Sequence, residues 1–202
     1  MTAERDELPP GYPVAYERSL RLRDGRTVRV RPILPSDAAE LAEAIRTADP
    51  DTLHRRFLGA PPRLTPTLLA RLTTMDYVRR FALVALDPTT ERGVAVARYE
   101  PLEEGVVEFA VAVDPAWRRV GLATALVELL AEAAMERGIH SFGASYLAGN
   151  RPIAALLAHA GPGAKQLIQH GTAELAVTLD REHVAALHRD LASRTTRDRP
   201  PP

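Results

Sequence analysis

One carboxylate stands among small side chains on a predicted strand, a few residues before a glycine-containing turn. Alternation over Val106–Val113 places Glu108 on the same face as Val106, Ala110 and Ala112. A carboxylate in such a shallow groove is suited to accept a proton from a bound group. The alternative is a water-exposed glutamate on an edge strand. Glu108 is therefore the candidate general base.

The turn that follows has the composition of a phosphate-binding site. Residues 118–123 read R-x-x-G-x-A and open a helix. The unpaired N–H groups and the positive dipole end of a helix N-terminus attract anions, and Gly121 lets a phosphate approach the backbone closely. The side chains of Arg118 and Arg119 add positive charge. Many such turns are purely structural, but the preceding strand, Trp117 and the long amphipathic helix that follows favour a phosphate site.

The elements that position these residues form a predicted α/β fold with a mixed sheet in one layered domain. Hydrophobic periodicity and turn residues predict strands over about 26–31, 81–86, 93–100, 106–113, 141–147, 166–169 and 174–179. They predict helices starting near 35 and 65, near 53–57, over 121–137, over 151–159 and around 184–191. The proline-rich and charged ends, 1–16 and 194–202, are predicted to be flexible, which leaves one domain over 17–193.

Composition narrows the possible functions. The 202 residues carry a formal net charge of zero, so no overall electrostatic attraction to nucleic acid or to an anionic membrane is expected. The absence of cysteine excludes thiolate catalysis and cysteine-based zinc sites, and the six histidines lack metal-ligand spacing, so no metal site is predicted. The charged N-terminus and the lack of a run of about 20 apolar residues predict a cytoplasmic protein.

The segment from Glu108 to Leu126, with Asn150 further on, resembles the acyl-CoA-binding core of the GNAT family of N-acetyltransferases. Residues 118–123 satisfy the family signature [Q/R]-x-x-G-x-[G/A], and the order of elements over about 20–180 is similar to the family fold, a mixed, mostly antiparallel sheet flanked by helices. Three stretches are also similar to the acetyltransferase domain of bacterial protein lysine acetyltransferases, which act on acyl-CoA synthetases: Leu20–Gly25, Val30–Ile33 and Arg55–Phe57.

The resemblance implies acetyl-CoA as the co-substrate and assigns residues to it. The backbone of Val111 and Val113 would pair with the pantetheine arm, and Asn150 would hydrogen-bond the cofactor near that arm. Glu108 would be the general base, directly or through water. The pyrophosphate would be enclosed by Arg119, Val120, Gly121, Leu122, Ala123 and Thr124, with Arg118 beside them.

One family feature is missing. Many members donate a proton to the departing thiolate from a tyrosine near the start of the helix that follows Asn150, whereas residues 156–159 here read LLAH. Tyr146 or water are the substitutes. A thiol ionises near pKa ~8.5, so a thiolate needs little help in leaving.

These observations predict direct acetyl transfer to a primary amine. An amine with a pKa of ~10.4 is almost fully protonated at neutral pH, and freeing its lone pair costs about 4–5 kcal/mol, which a groove carboxylate helps to supply. The segment Arg55–Phe57 favours a protein lysine as acceptor over a small amine. A non-catalytic acyl-CoA-binding module is the third possibility, against which Glu108 counts. Monomer and homodimer both remain open.

Overall fold

Within the described part of the chain, a nine-stranded sheet is the frame on which the candidate residues are arranged. The computed structural model describes residues 8–103, 105–150, 153, 156, 165–169, 171–180 and 195–196. The spatial order of the strands is β7-β8-β6-β5-β4-β3-β2-β1-β9. Their bounds are β1 Arg18–Arg21, β2 Thr27–Pro32, β3 Phe81–Leu86, β4 Gly93–Glu103, β5 Val106–Val113, β6 Ser141–Leu147, β7 Lys165–Gln169, β8 Thr172–Thr178 and β9 Thr195–Thr196.

The described helices begin where the sequence supplies capping residues and proline. Asp49 and Thr65 each accept a backbone hydrogen bond from the residue three positions on, and a proline follows each of them. The bounds are α1 Ala38–Thr47, α2 Pro50–Phe57, α3 Pro66–Thr73 and α4 Leu122–Glu136. In the described ranges, no helix has both the length and the apolar character needed to cross a bilayer.

The two faces of the sheet carry different layers. Helix α4 packs against β3, β4 and β5 on one face, where its leucines 122, 126, 129 and 130 are buried with the aromatic residues of the strands. Two stacked pairs fill this core, Phe81 with Tyr99 at 5.8 Å and Phe109 with Phe142 at 5.4 Å between ring centroids. Burying each such side chain contributes about 1.5–3 kcal/mol. The helices α1 and α2 contact β4, β5 and β6, and α3 packs against α1.

Most predicted elements are confirmed, and the main differences lie near the chain ends. Strand β1 was not predicted, because four residues are too few for a clear alternation. The segment 8–16, which the sequence assigns to a flexible arm, instead buries Tyr12 and Tyr16 in the core. Likewise β9, within the predicted C-terminal tail, pairs with β1. Only Ile153 and Leu156 of the predicted 151–159 helix are described, both as helical, and the last predicted helix lies outside the described residues.

Candidate active site

The sheet separates between β5 and β6, directly beyond Glu108. These strands pair in parallel over Val106–Glu108 and Ser141–Gly143, and the ladder stops there. The rest of β5 stays paired with β4 on its other side. The β5 edge that faces β6 beyond Glu108, called here the open edge, therefore has no strand partner in the described part of the chain.

The direction of the backbone groups along β5 follows from one hydrogen bond at its end. The N–H of Asp114 donates to the carbonyl of Val94, in β4, at 2.9 Å. Backbone groups of alternate residues point to the same edge of a strand. Residues 110 and 112 therefore face β4, whereas Val111 and Val113 present their N–H and C=O groups to the open edge. Both residues predicted to pair with the pantetheine arm thus face the gap.

Arg118 occupies one of those groups. Its Nε donates to the carbonyl of Val113 at 3.0 Å, and its Nη2 donates to Oγ1 of Thr52 at 2.6 Å. The first residue of the R-x-x-G-x-A motif therefore joins the end of β5 to helix α2, rather than pointing its charge at the turn as the sequence suggested. The N–H of Val113 and both backbone groups of Val111 still face the open edge.

The turn at 118–123 has the conformation of an anion-binding loop. Arg119 and Gly121 have φ angles of +63° and +89°, and the latter caps helix α4. The N–H of Ala125 makes the first bond of the helix, to the carbonyl of Gly121 at 3.0 Å. Within the described ranges, no hydrogen-bond acceptor is found for the N–H groups of residues 119–124. Six consecutive donors at the positive end of a helix are suited to a pyrophosphate.

Arg23, from the β1–β2 hairpin, lies on this turn and was not predicted from the sequence. Its N–H donates to the carbonyl of Val120 at 3.1 Å. Its Nε would stand 3.3 Å from a Cβ placed on Gly121. The neighbouring Arg26 is held at Trp117, with its guanidinium 4.1 Å from the ring centroid. The hairpin therefore brings a guanidinium to the turn, and the only sequence signal for it was the Leu20–Gly25 resemblance.

Glu108 faces a second carboxylate across the β4–β5 ladder. It is exposed, while its neighbours Val107 and Phe109 are buried, which confirms the predicted alternation of faces. Glu100 is its direct partner in the register, and Gly143 of β6 lies at its other side. Opposed residues of an antiparallel pair share a face and repel one another when they carry the same charge.

Four arginines compensate for this pair of carboxylates, and we call Arg56, Arg71, Arg80 and Arg98 the basic cluster. Glu100 has Arg98 Nη2 at 3.1 Å, Arg71 Nη2 at 3.2 Å and Arg80 Nη2 at 3.8 Å from its oxygens. Burial lowers the pKa of Arg56, and the nearby charges of Glu108 and Glu100 partly offset this effect. Helix α2 thus supplies a cation that acts on both carboxylates.

Arg98 is the most deeply buried member of the basic cluster. Its residue is 5% exposed, and it lies opposite Ala110 on the Glu108 face of the sheet. Burial lowers the pKa of Arg98 to about 10, with Glu100 opposing and the other three arginines adding to the shift. The group is still a cation at neutral pH. Arg98 and Glu100 stand two positions apart on β4, so the alternation of that strand is the sequence signal that places both on one face.

The remaining predicted residues differ in position. Asn150 follows β6, where its N–H donates to the carbonyl of Leu147 at 2.7 Å and its own carbonyl accepts from Ile153. Tyr146, a suggested proton donor, is 3% exposed and alternates onto the buried face with Phe142. It therefore lies on the opposite face of the sheet from Glu108. Among the described residues, no group of three or more histidine, aspartate or glutamate side chains is placed to hold a metal ion.

Comparison with known proteins identifies the family of this chain. Residues 52–161 match the Acetyltransferase (GNAT) family. The chain belongs to the GNAT family of acetyltransferases. This GNAT acetyltransferase is 34% identical over 133 residues to Acetyltransferase PA5475 of Pseudomonas aeruginosa. The aligned residues cover 64% of the chain and 72% of that protein.

Solved structures of other GNAT proteins show the same fold. The GNAT domain of S. lividans PAT superposes with a TM-score of 0.75 at 32% identity, covering 83% of this chain and 99% of that one. A phosphinothricin acetyltransferase from Sinorhizobium meliloti, solved in complex with AcCoA, has a TM-score of 0.60 at 20% identity and covers 75% and 88%. Acetyl-CoA is the co-substrate of this GNAT acetyltransferase.

Proposed function

We propose that this GNAT acetyltransferase transfers the acetyl group of acetyl-CoA directly to a primary amine, and that the acceptor is a lysine side chain of another protein. The observation that carries the proposal is the position of Glu108 at the point where β5 and β6 separate. A cofactor arm running along the open edge would bring its thioester near this carboxylate. We assign the activity to the single domain that comprises the predicted range 17–193 together with the core residues Tyr12 and Tyr16.

The cofactor has a set of donors that matches its shape. The N–H groups of residues 119–124 would hold the pyrophosphate, with the guanidinium of Arg23 beside them. The pantetheine amides would pair with the carbonyl of Val111 and with the N–H of Val113, which extends the sheet by one partial strand. Asn150, at the end of β6, would hydrogen-bond the arm from the other side of the gap.

The chemical step follows from the placement of amine and thioester. The amine nitrogen attacks the thioester carbon, the new C–N bond forms, and the C–S bond breaks to release the CoA thiolate. Glu108 would take the amine proton, directly or through a water, and the N–H of Val111 would stabilise the oxyanion that forms. Water would protonate the thiolate, since Tyr146 lies on the other face. A thiol acyl-enzyme is excluded because the chain has no cysteine.

The likeness to S. lividans PAT supports a protein acceptor. It extends over 83% of the chain at 32% identity. The stretches Leu20–Gly25, Val30–Ile33 and Arg55–Phe57 are also similar in sequence to protein lysine acetyltransferases. The acceptor side of the groove is also open, because Glu108 and Ser145 on its two bordering strands are both exposed. A side chain presented on the surface of another protein can therefore reach the carboxylate.

Mass spectrometry of acetylated lysines tests this proposal. The protein is incubated with acetyl-CoA and an acyl-CoA synthetase, with the Glu108→Gln variant as a matched control. We expect acetyl-lysine at one or a few synthetase positions with the wild type and far less with the variant. Acetylation of small amines without any protein acetylation would overturn the lysine assignment and favour the small-amine alternative. Acetyl-CoA binding without transfer to either acceptor would favour a non-catalytic module.

A further inference from the structure

Arg98 is a buried cation whose donors are incompletely used. Its side chain is 6% exposed, yet neither Nε nor Nη2 has a hydrogen-bond partner among the described residues. Glu100 lies 3.1 Å from Nη2 as an ion pair, without the geometry of a hydrogen bond. Buried polar groups are nearly always hydrogen-bonded in folded proteins. The guanidinium is therefore suited to receive an acceptor oxygen from a ligand.

The charges around Arg98 point in the same direction. The basic cluster contributes four positive charges, and Glu100 and Glu108 contribute two negative charges. Arg80 also interacts electrostatically with the carboxylate of Asp76, which accepts hydrogen bonds from the backbone N–H groups of Val78 and Arg80. If Asp76 is assigned to Arg80, the three other arginines still exceed the two glutamates by one charge. An anion would complete the balance.

The excess positive charge lies beside Glu108, where the acceptor amine would bind. Arg98 lies opposite Ala110, so it is a diagonal neighbour of Glu108 on the same face of the sheet. Such neighbours are about 7–8 Å apart. Residues i and i+2 of an extended chain point to the same side and are roughly 7 Å apart. A lysine that reaches Glu108 would bring the side chain two positions away to Arg98.

We propose that Arg98 and Arg56 form a carboxylate-binding subsite beside Glu108, which selects acceptor lysines that have an aspartate or glutamate two positions away. The selection of lysines rests on the proposed function, whereas the subsite rests on the unpartnered donors of Arg98, the ion pairs of Glu100 and the strand register. Arg98 supplies the unused donors, and Arg56, on the half-buried side of helix α2, supplies the second charge from above the sheet.

Paired peptides test the selection. Two N-acetylated, C-amidated pentapeptides, Ala-Lys-Ala-Glu-Ala and Ala-Lys-Ala-Gln-Ala, differ only in the charge two positions after the lysine. With the wild type we expect kcat/KM to be about tenfold higher for the glutamate peptide. In Arg98→Met and in Arg56→Gln this ratio should fall to about one. The control Arg46→Gln, at an exposed arginine that pairs with Glu43 on α1, should keep the wild-type ratio. Equal values for both peptides with the wild type would overturn the selection.

A binding measurement keeps the subsite testable if no peptide is acetylated. The protein is saturated with acetyl-CoA, which occupies the pyrophosphate turn, and titrated with N-acetylglutamate methylamide in a calorimeter. Saturable binding by the wild type and its loss in Arg98→Met would support the subsite, even if transfer only to a small amine had overturned the lysine acceptor. Absent binding, or equal binding by the wild type and Arg98→Met, would overturn the subsite.

Discussion

Glu108 owes its position to its neighbours as much as to its own chemistry. A glutamate directly opposite another glutamate is an unfavourable pair on an isolated hairpin. Here Arg71 and Arg98 hold Glu100 at 3.2 and 3.1 Å, and Arg56 lies within electrostatic reach of both carboxylates. Glu108 thereby remains exposed toward the groove, without a direct ion pair to any described residue that would block its approach to an amine.

The variant Glu108→Gln tests the proposed role of Glu108 as general base, because it removes the carboxylate while conserving the shape of the side chain. We expect kcat to fall about 10²–10⁴-fold, since the amide cannot accept the proton. The dissociation constant for acetyl-CoA should change little, because the substitution leaves the turn at 118–123 and the open edge unchanged. Steady-state kinetics and calorimetry measure the two quantities, with Glu103→Gln, at the exposed end of β4, as the control. Unchanged kcat in Glu108→Gln would remove this residue from the mechanism.

Substitution of the two glycines at opposite ends of α4 distinguishes an effect on backbone strain from an effect on cofactor binding. Gly121 and Gly138 have φ angles of +89° and +76°, so alanine at either site costs about 1–2 kcal/mol of unfolding free energy. Only at Gly121 would the added methyl group approach Arg23 and disturb the N–H donors. We expect Gly121→Ala to weaken acetyl-CoA binding at least tenfold and Gly138→Ala to leave it unchanged, by calorimetry. Equal affinities in the two variants would contradict the assignment of the N–H groups of residues 119–124 to the pyrophosphate.

Arg98 should cost stability at neutral pH. Its pKa of about 10 lies below the ordinary arginine value, so the unfolded chain binds more protons above pH 10 and stability rises with pH only there. Below pH 10 the full cost of the buried cation is present. We therefore expect Arg98→Met to raise the unfolding free energy at pH 7 by about 1 kcal/mol, measured by urea denaturation. Glu100 keeps Arg71 in this variant.

Arg18 provides the contrast for that measurement. Its guanidinium is also buried, but it donates to the carbonyl of Ala15 at 3.3 Å and to Glu132 at 3.4 Å. Removal of this partner from Glu132 should be destabilising by about 3 kcal/mol in Arg18→Met. Comparable losses in both variants would show that Arg98 is an ordinary structural cation.

At the scale of elements, the proposed position of the cofactor arm depends on the separation of β5 from β6. Periodicity predicted both strands correctly over 106–113 and 141–147. It carried no information on which edge of β5 is paired, because alternation reports on faces and says nothing of neighbours within the sheet. The register shows that the ladder to β6 ends at Glu108 and Gly143, whereas the ladder to β4 continues.

Hydrogen exchange at single amides tests the open edge. The N–H groups of Val111 and Val113 face the gap, and those of residues 110 and 112 already face β4. Saturation with acetyl-CoA should slow exchange at Val111 and Val113 at least tenfold, since new hydrogen bonds protect them. The alternate amides, followed in the same NMR spectra, serve as the internal control. The pantetheine arm would lie elsewhere if exchange slowed only at the amides of residues 110 and 112, or at none of these four amides.

At the scale of the whole molecule, the proposed cofactor site joins parts distant in the chain. The β1–β2 hairpin, the end of β5, the start of α4 and helix α2 all meet through Arg23 and Arg118. A ligand that bridges these parts binds the folded chain alone, so it stabilises that chain by mass action.

Acetyl-CoA should therefore raise the melting temperature. At a concentration of one hundred times its dissociation constant it adds about 2.7 kcal/mol, which corresponds to roughly 5–10 °C for a chain of this size. Adenosine 3′-phosphate 5′-diphosphate, which lacks the pantetheine arm, should give a smaller shift at the same concentration. Equal shifts in a thermal denaturation experiment would show that the open edge contributes nothing to binding.

The sequence alone determined the features that depend on short stretches of chain. Alternation placed Glu108 among small residues, and the R-x-x-G-x-A turn with its following helix indicated the family. Both could be read from the sequence because the backbone conformation at a helix N-terminus is set by neighbouring residues. The tertiary structure decided what depends on register and packing between remote segments. It placed Arg23 on Gly121, turned Arg118 to Thr52, and gathered Arg56, Arg71, Arg80 and Arg98 around two carboxylates. Such contacts arise only after strands and helices far apart in the chain have packed together.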